Sequence, residues 1–235
     1  METIYGVALG PGDPELITLK ALRILKEADL IFYPGSINKG KQRSFVLSIL
    51  RYHQLDEEKL IGFFLEMSLE RVQAQEIYEQ TATHIKHAFE QGKKVCIVCE
   101  GDISLYSTFS YLLKKLQDVK LPISLIPGIN SFSLGAANHQ TPICTLNDKV
   151  AILPRESKTE NLEAYLQDFD TLILMKIRTA WAAIKQIIAS NPDIQFYYCE
   201  RLGTKEEFIS RNIAEVSDRE LPYFSLVILK KRTKK

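Results

Sequence analysis

No apolar run in this chain reaches the roughly 18–20 residues that a membrane-spanning helix requires. The first residues, METIYGVALG, lack the basic start, long apolar stretch and small-residue cleavage site of a secretion signal. These absences predict a soluble, cytoplasmic protein with no membrane partner. Charge of one sign is missing too: 30 Lys and Arg stand against 29 Asp and Glu, a formal net charge of +1. Such a balance gives no whole-molecule field to attract nucleic acid, which is not expected as a partner. The one strongly basic run, Lys230-Lys231-Arg232-Thr233-Lys234-Lys235, reads as a solvated tail.

Cysteine is scarce. Of the four, Cys96, Cys99 and Cys199 sit in apolar strand-like runs and Cys144 does not, a pattern of free thiols in a reducing compartment. Cys96 and Cys99 have C-x-x-C spacing, but residues three apart on a strand face opposite sides, so neither a disulfide nor paired zinc ligands are expected. His84 and His87 are three apart on a helical pattern with no third ligand in register, so they read as an exposed helix face and no metal is expected. No Ser-His-Asp or Cys-His arrangement stands out, and the catalytic residue is left unknown.

What is present is a repeated strand-turn-helix rhythm. Strands are predicted over 4–9, 30–33 (ended by Pro34-Gly35), 60–65, 94–99 and 123–126. Helices are predicted over 15–28, 43–52, 69–91, 106–116 and 131–139. Asp13 is placed to cap the first helix and Pro14 to begin it. The rhythm pauses around 142–148 and resumes with strands at 150–153, 171–175 and 195–199 and helices at 160–166 and 181–189. The stretch from 208–213 to 223–229 is strand-rich with no helix between, so antiparallel pairing is expected there. The prediction is an α/β protein of two lobes, 1–143 and 147–235, the first with a mostly parallel sheet and the second with a mixed sheet. Trp181 reads as a core or interface anchor and Phe196-Tyr197-Tyr198 as a buried strand.

The opening segment GVALGPGDPELITLK places Gly6, Gly10 and Gly12 in a spacing that is not G-x-G-x-x-G. Asp13 and Glu15 stand where a pyrophosphate would lie, and carboxylates at a helix start repel an anion and compete for its N–H groups. No Walker-type loop occurs elsewhere. A nucleotide phosphate is disfavoured, which leaves a cationic or neutral ligand, a carboxylate-bearing substrate gripped elsewhere, or a tight turn that touches no ligand.

Three segments together carry a resemblance. GVALGPGDPELITLKALRILKEADLIFYPGS (6–36), EGDISLYSTFSYLLKKL (100–116) and IPGINSFSLGAANHQTPI (126–143) resemble the three motifs of the tetrapyrrole methylases, S-adenosylmethionine-dependent enzymes of corrin and sirohaem synthesis. YSTF (106–109), NSFS (130–133), CERLGT (199–204) and LPYFSLVIL (221–229) are most similar to the branch that methylates C-20 of precorrin-2 or cobalt-factor II on the way to cobalamin. The likeness runs nearly end to end. Ile103 departs from it, standing where the family usually has a proline that stiffens the loop, so a looser loop is expected.

The resemblance implies S-adenosyl-L-methionine as methyl donor, seated between the two halves. Gly101, Asp102 and Ile103 would line it with backbone groups exposed, and Tyr106 would close that side. Ser131, Phe132, Met175, Leu202, Ser225 and Leu226 would complete the donor site. Gly10, Gly12 and Asp13 would face a reduced tetrapyrrole, either precorrin-2 or its cobalt-bearing counterpart. Its carboxylates call for basic residues such as Arg155, Lys176 and Arg201, with Lys20, Arg23 and Arg178 as further candidates. His139 would either complement its helix dipole or lie near the tetrapyrrole. A homodimer is implied. Alternatives left open are another tetrapyrrole methylase step, a ribosomal-RNA 2′-O-methyltransferase of the same superfamily, and a non-catalytic module that binds the donor. Methyl transfer from a sulfonium to carbon needs chiefly that donor and acceptor be held in line, which agrees with the lack of a nucleophile or metal set.

Overall fold

The computed structural model describes residues 3–38, 40–66 and 71–232. Met1 and Glu2, the expected helix start at Leu69 and the tail residues Thr233, Lys234 and Lys235 lie outside the described residues. The chain divides into two compact units, Met1–Asn130 and Ser131–Lys235. Among the described residues no helix is long and apolar enough to cross a membrane.

The first unit runs β1 (Ile4–Ala8), α1 (Leu19–Glu27), β2 (Leu30–Asn38), β3 (Lys41–Arg43), α2 (Val46–Tyr52), β4 (Leu60–Glu66), α3 (Arg71–Glu90), β5 (Val95–Cys99), α4 (Phe109–Asp118) and β6 (Ile123–Ile126). Strands β4, β2, β5, β1 and β6 are parallel and neighbour one another in that order. Helices cover both faces, as an all-parallel sheet requires. On one face Ala21, Ile24 and Leu25 of α1 and Val46, Ile49 and Leu50 of α2 pack with Val7, Ile31, Cys96 and Val98. On the other, Tyr78 and Ile85 of α3 and Phe109, Leu112 and Leu116 of α4 pack with Ile4, Phe32, Ile97 and Cys99. Each Val, Leu, Ile or Phe among them, removed from water, contributes about 1.5–3 kcal/mol. Cys96 and Cys99 therefore point into opposite cores, and burial pushes both thiols up to about 12. His84 and His87 are exposed, and the edge of the His84 ring meets Phe32 at 5.1 Å.

Three details differ from the sequence reading. The first helix is split: Asp13 caps a single 3₁₀ turn at Pro14–Leu16, and Thr18, accepting from the Ala21 N–H at 3.2 Å, starts α1 afresh. Strand β2 does not stop at Pro34-Gly35. Its pairing to β5 ends at Phe32 and its antiparallel pairing to β3, a strand not foreseen, begins at Ser36. Pro34 falls in that gap, where one side of the strand has no ladder partner, while β4 pairs along the other side. In the second unit a short helix, introduced below, interrupts the stretch read as strands alone.

The second unit runs α5 (Ser131–Asn138), β7 (Val150–Pro154), α6 (Thr159–Asp168), β8 (Thr171–Met175), α7 (Trp181–Ser190), β9 (Ile194–Glu200), β10 (Phe208–Ser210), α8 (Ala214–Ser217) and β11 (Ser225–Lys231). Its sheet is ordered β10-β9-β11-β8-β7, with β7 and β8 parallel and β11 antiparallel to both β8 and β9. Leu162, Leu166, Ala183, Ile184 and Ile187 cover one face, and the buried Val216 ties α8 to the same core. Trp181 packs on Phe196 and Tyr198. On the other face α5 lies close at Gly135, where a Cβ would stand 2.8 Å from the Cys199 sulfur. The segment after α5 is pinned by buried Lys230, which donates to the Pro142 carbonyl at 2.7 Å, and by Thr171, which donates to the Ile143 carbonyl at 2.7 Å.

His139 follows α5 directly. It is buried, its Nε2 donates to the Tyr198 carbonyl at 2.9 Å, and its own carbonyl accepts from Arg211. Burial lowers its pKa, the hydrogen bond to Tyr198 opposes, and the Arg211 charge lowers it further. A folded pKa lowered below the unfolded value of about 6.5 makes this group's share of stability complete above that value and declining as pH falls below it.

Candidate active site

Parallel strands bring the ends of β1, β5 and β6 to one edge of the first unit's sheet. The chain leaves β1 for β2 on one side and leaves β5 for β6 on the other, so the loops after β1 and β5 part company above the sheet. Ligand crevices of open parallel sheets form at such a place. Here the two loops are stitched together by reciprocal hydrogen bonds, Gly101 N to Gly10 O at 2.7 Å and Gly10 N to Gly101 O at 3.1 Å. The third loop, after β6, comes in at Gly128. A Cβ there would stand 2.6 Å from the Gly101 carbonyl oxygen and 2.7 Å from the Ala8 Cβ, so only glycine permits the approach.

Asp102 locks this arrangement. It is buried, and its Oδ2 accepts from the Gly128 N–H at 2.8 Å. Its Oδ1 accepts from the Ser104 N–H at 3.0 Å and from the Ser104 hydroxyl. Burial alone would raise its pKa, but the hydrogen bonds from Ser104, Gly128 and Ile103 outweigh it and hold the carboxyl below its ordinary value. The site therefore contains a fixed negative charge whose oxygens are already satisfied by the protein.

Gly101 supplies the opening. It sits at φ +66, and a Cβ built on it would meet nothing within 4 Å. The expectation that its backbone groups are exposed is corrected: N–H and C=O are both engaged by Gly10, because the two loops must pair to close the edge. What Gly101 leaves open is bare space beside its Cα. Ile103 is 6% exposed. In place of a proline's fixed φ, its buried side chain anchors the loop in the core, next to Phe109 and above Gly6. Tyr106 is 43% exposed at φ +49, on the way into α4. Gly10 and Gly12 have φ of +83 and +141, and the Asp13 carboxylate accepts from the Glu15 N–H at 2.9 Å, capping the turn. The turn is braced from α2, where Tyr52 donates to Glu15 at 3.2 Å and the His53 Nε2 lies 2.9 Å from the Pro14 carbonyl.

In the second unit, Ser131 begins α5 and Phe132 is buried. Met175 closes β8 directly opposite Leu226 of β11, Ser225 opens β11, and Leu202 is buried just past β9. Met175, Leu202, Ser225 and Leu226 gather at one edge of that sheet. Arg155, Lys176 and Arg201 stand at the same edge, each following its strand directly. Lys20, Arg23 and Arg178 are exposed, and Arg23 pairs with Glu27 on α1 at 3.3 Å. Sequence reasoning missed Ser104 and Gly128 as parts of the site. The Pro127-Gly128 turn was visible, but its closeness to Gly101 is a property of the folded sheet. Among the described residues no group of three or more His, Cys, Asp or Glu could hold a metal.

Comparison with known proteins bears on the family and the fold. The family model for Tetrapyrrole (Corrin/Porphyrin) Methylases matches residues 3–216. The cobalt-precorrin-2 C(20)-methyltransferase of Salmonella typhimurium is 29% identical over 231 residues, covering 97% of this chain and 96% of the relative. The precorrin-2 C(20)-methyltransferase of Sinorhizobium sp is 28% identical over 232 residues, covering 96% and 94%. The fold of uroporphyrin-III C-methyl transferase from Thermus thermophilus, solved with S-adenyl homocysteine, superposes with a TM-score of 0.68 at 21% identity, covering 97% of each chain. On this sequence match and this fold, the chain belongs to the tetrapyrrole (corrin/porphyrin) methylases.

Proposed function

We propose that this protein transfers a methyl group from S-adenosyl-L-methionine to C-20 of precorrin-2 or its cobalt-bearing counterpart, a step of cobalamin biosynthesis. The observation that carries the reading is the cradle at Gly101: open space beside a bare Cα, backed by a buried carboxylate held ionised. A bulky cationic donor fits such a cradle, whereas a phosphate would meet like charge from Asp102. Relatives of nearly full-length coverage that carry this activity support the choice of substrate.

S-Adenosyl-L-methionine supplies an electrophilic methyl on a cationic sulfur. The work left to the protein is to hold two partners in line, an effect that can remove about 7–11 kcal/mol of a barrier. The Gly10–Gly101 pairing and the Asp102 latch fix the floor of the donor site before any ligand arrives. Ile103 and Tyr106 of the first unit are assigned to the same donor. Gly10, Gly12 and Asp13 are assigned to the substrate. The new C–C bond takes its electron pair from the macrocycle, the S–CH₃ pair goes to sulfur, and C-20 releases a proton. The family resemblance supports a cytoplasmic homodimer.

Purified protein incubated anaerobically with S-adenosylmethionine and precorrin-2, with and without inserted cobalt, is expected to add one methyl per macrocycle. Mass spectrometry counts the methyl, and NMR with an isotope-labelled donor locates it at C-20. No methyl gain on either substrate, or a methyl at another carbon, overturns the assignment.

A further inference from the structure

Arg155, Lys176 and Arg201 share a geometry that neither composition nor spacing reveals. Each is the first residue beyond its strand, following β7, β8 and β9 respectively. Strands β7 and β8 are parallel, and β8 and β9 both run antiparallel to β11, so all three residues stand at the same edge. Each has a left-handed backbone, with φ of +55, +58 and +49. Each is held there by its own N–H: Arg155 to Met175 O at 3.0 Å, Lys176 to Ser225 O at 3.2 Å and Arg201 to Phe224 O at 2.9 Å. Such positions favour glycine or asparagine. Gln54, Tyr106, Lys120, Gln140 and Leu146 are left-handed too, but what sets this group apart is three basic residues that each follow a strand of one sheet. A long basic side chain kept at three strained positions on one edge points to use of the side chains.

The surroundings narrow that use. Neighbouring acids are already engaged: Glu156 accepts from the N–H groups of Ser157 and Lys158, and Glu200 from Tyr198 and Arg219. Among the described residues neither Arg155 nor Lys176 has an ion-pair partner, whereas Arg201 is paired with Glu206. The Lys176 ammonium lies 5.8 Å from the Tyr223 ring, and Tyr223 and Phe224 meet edge to face at 5.2 Å, 37% and 40% exposed. Strand spacing puts the Arg155 and Lys176 backbones about 5 Å apart and Arg201 about 10 Å from Lys176. An edge of cations beside exposed aromatic rings suits a flat, carboxylate-fringed ring system.

We propose that Arg155, Lys176 and Arg201 form a backbone-fixed cationic rim that binds peripheral carboxylates of the tetrapyrrole. Arg155 and Lys176 share one carboxylate, and Arg201 takes another when Glu206 is displaced. This rests on the tetrapyrrole reading of the preceding subsection and adds which of its groups are held and by what.

Glycine suits a left-handed backbone, so Arg155→Gly and Lys176→Gly remove the charge without straining the chain, and Tm is expected to stay within about 2 °C of wild type. The probe is uroporphyrin, which carries acetate and propionate arms, titrated by absorbance over a range of salt. Each variant is expected to bind it about tenfold more weakly, with shallower salt dependence and unchanged affinity for S-adenosylhomocysteine. Glu206→Gln is expected to tighten binding on the order of threefold by freeing Arg201. Wild-type affinity and salt dependence in all three variants overturn the rim alone. A wild-type protein that binds no porphyrin overturns both the rim and the reading it rests on.

Discussion

Replacing Gly101 with alanine is expected to weaken S-adenosylhomocysteine binding on the order of 10–100-fold while the fold stays in place. The backbone there, at φ +66, makes alanine cost about 1–2 kcal/mol. No atom of the protein lies within 4 Å of the new methyl, so there is no internal clash. The space it fills is the space assigned to the donor, where overpacking costs a further 1–3 kcal/mol, or roughly 10–100-fold in Kd. Gly92→Ala is the matching control. Gly92 has φ +79 and equally open surroundings, just past α3, so it carries the same backbone cost. Calorimetric titration should separate the two, with similar losses of stability and a binding loss confined to Gly101→Ala.

The second large effect is expected from Asp102→Asn. The two carboxylate oxygens accept from Gly128 and from the backbone and hydroxyl of Ser104. An amide has one acceptor oxygen, so its NH₂ must face an N–H donor on one side. Hydrogen bonds to a charged group contribute about 1.5–3 kcal/mol each, and a buried donor left unpaired costs about 1–3 kcal/mol. A stability loss of about 2–4 kcal/mol is expected in denaturant titrations, with donor binding at least tenfold weaker where the fold is still intact. Ser104→Ala, which removes only the hydroxyl, should cost about 1 kcal/mol. The pH behaviour follows from the sign of the shift. Asp102 has a folded pKa below its unfolded value, so its stabilisation is complete above about pH 4 and is lost as acid protonates the folded carboxyl. Donor affinity in the wild type should therefore be flat from neutral pH down to the usual carboxylate range.

Much of the fold was legible because its strands carry unambiguous local signals. The runs at β6 and β8 coincide with the strands found, and β5, buried at all five positions, reads as a continuous apolar run. What was missed depends on partners far along the chain. Pro34 stops an isolated strand, but not one whose proline falls between two successive neighbours. Thr18 as a second cap was hidden by the stronger signal of Asp13-Pro14, and the four residues of α8 are too few to show a helical period.

The candidate site divides in the same way. Gly101 and Asp102 were legible as a motif, but the motif does not say that both Gly101 backbone groups are spent on Gly10, nor that the Asp102 charge is held by Ser104 and Gly128. Spacing cannot bring residues 10, 101 and 128 to one point; a parallel sheet does so by aligning the ends of β1, β5 and β6. The basic residues carry no sequence signal beyond their charge. Their common left-handed backbone appears only where neighbouring strands bind their N–H groups.

A crystal structure of the complex with S-adenosylhomocysteine tests the central claim most directly. The ligand is predicted to pack within about 4 Å of the Gly101 Cα, with the Asp102 carboxylate still bridging Ser104 and Gly128. A ligand seated elsewhere with the space beside Gly101 empty, or an Asp102 carboxylate swung away from Gly128 to reach it, would contradict the account.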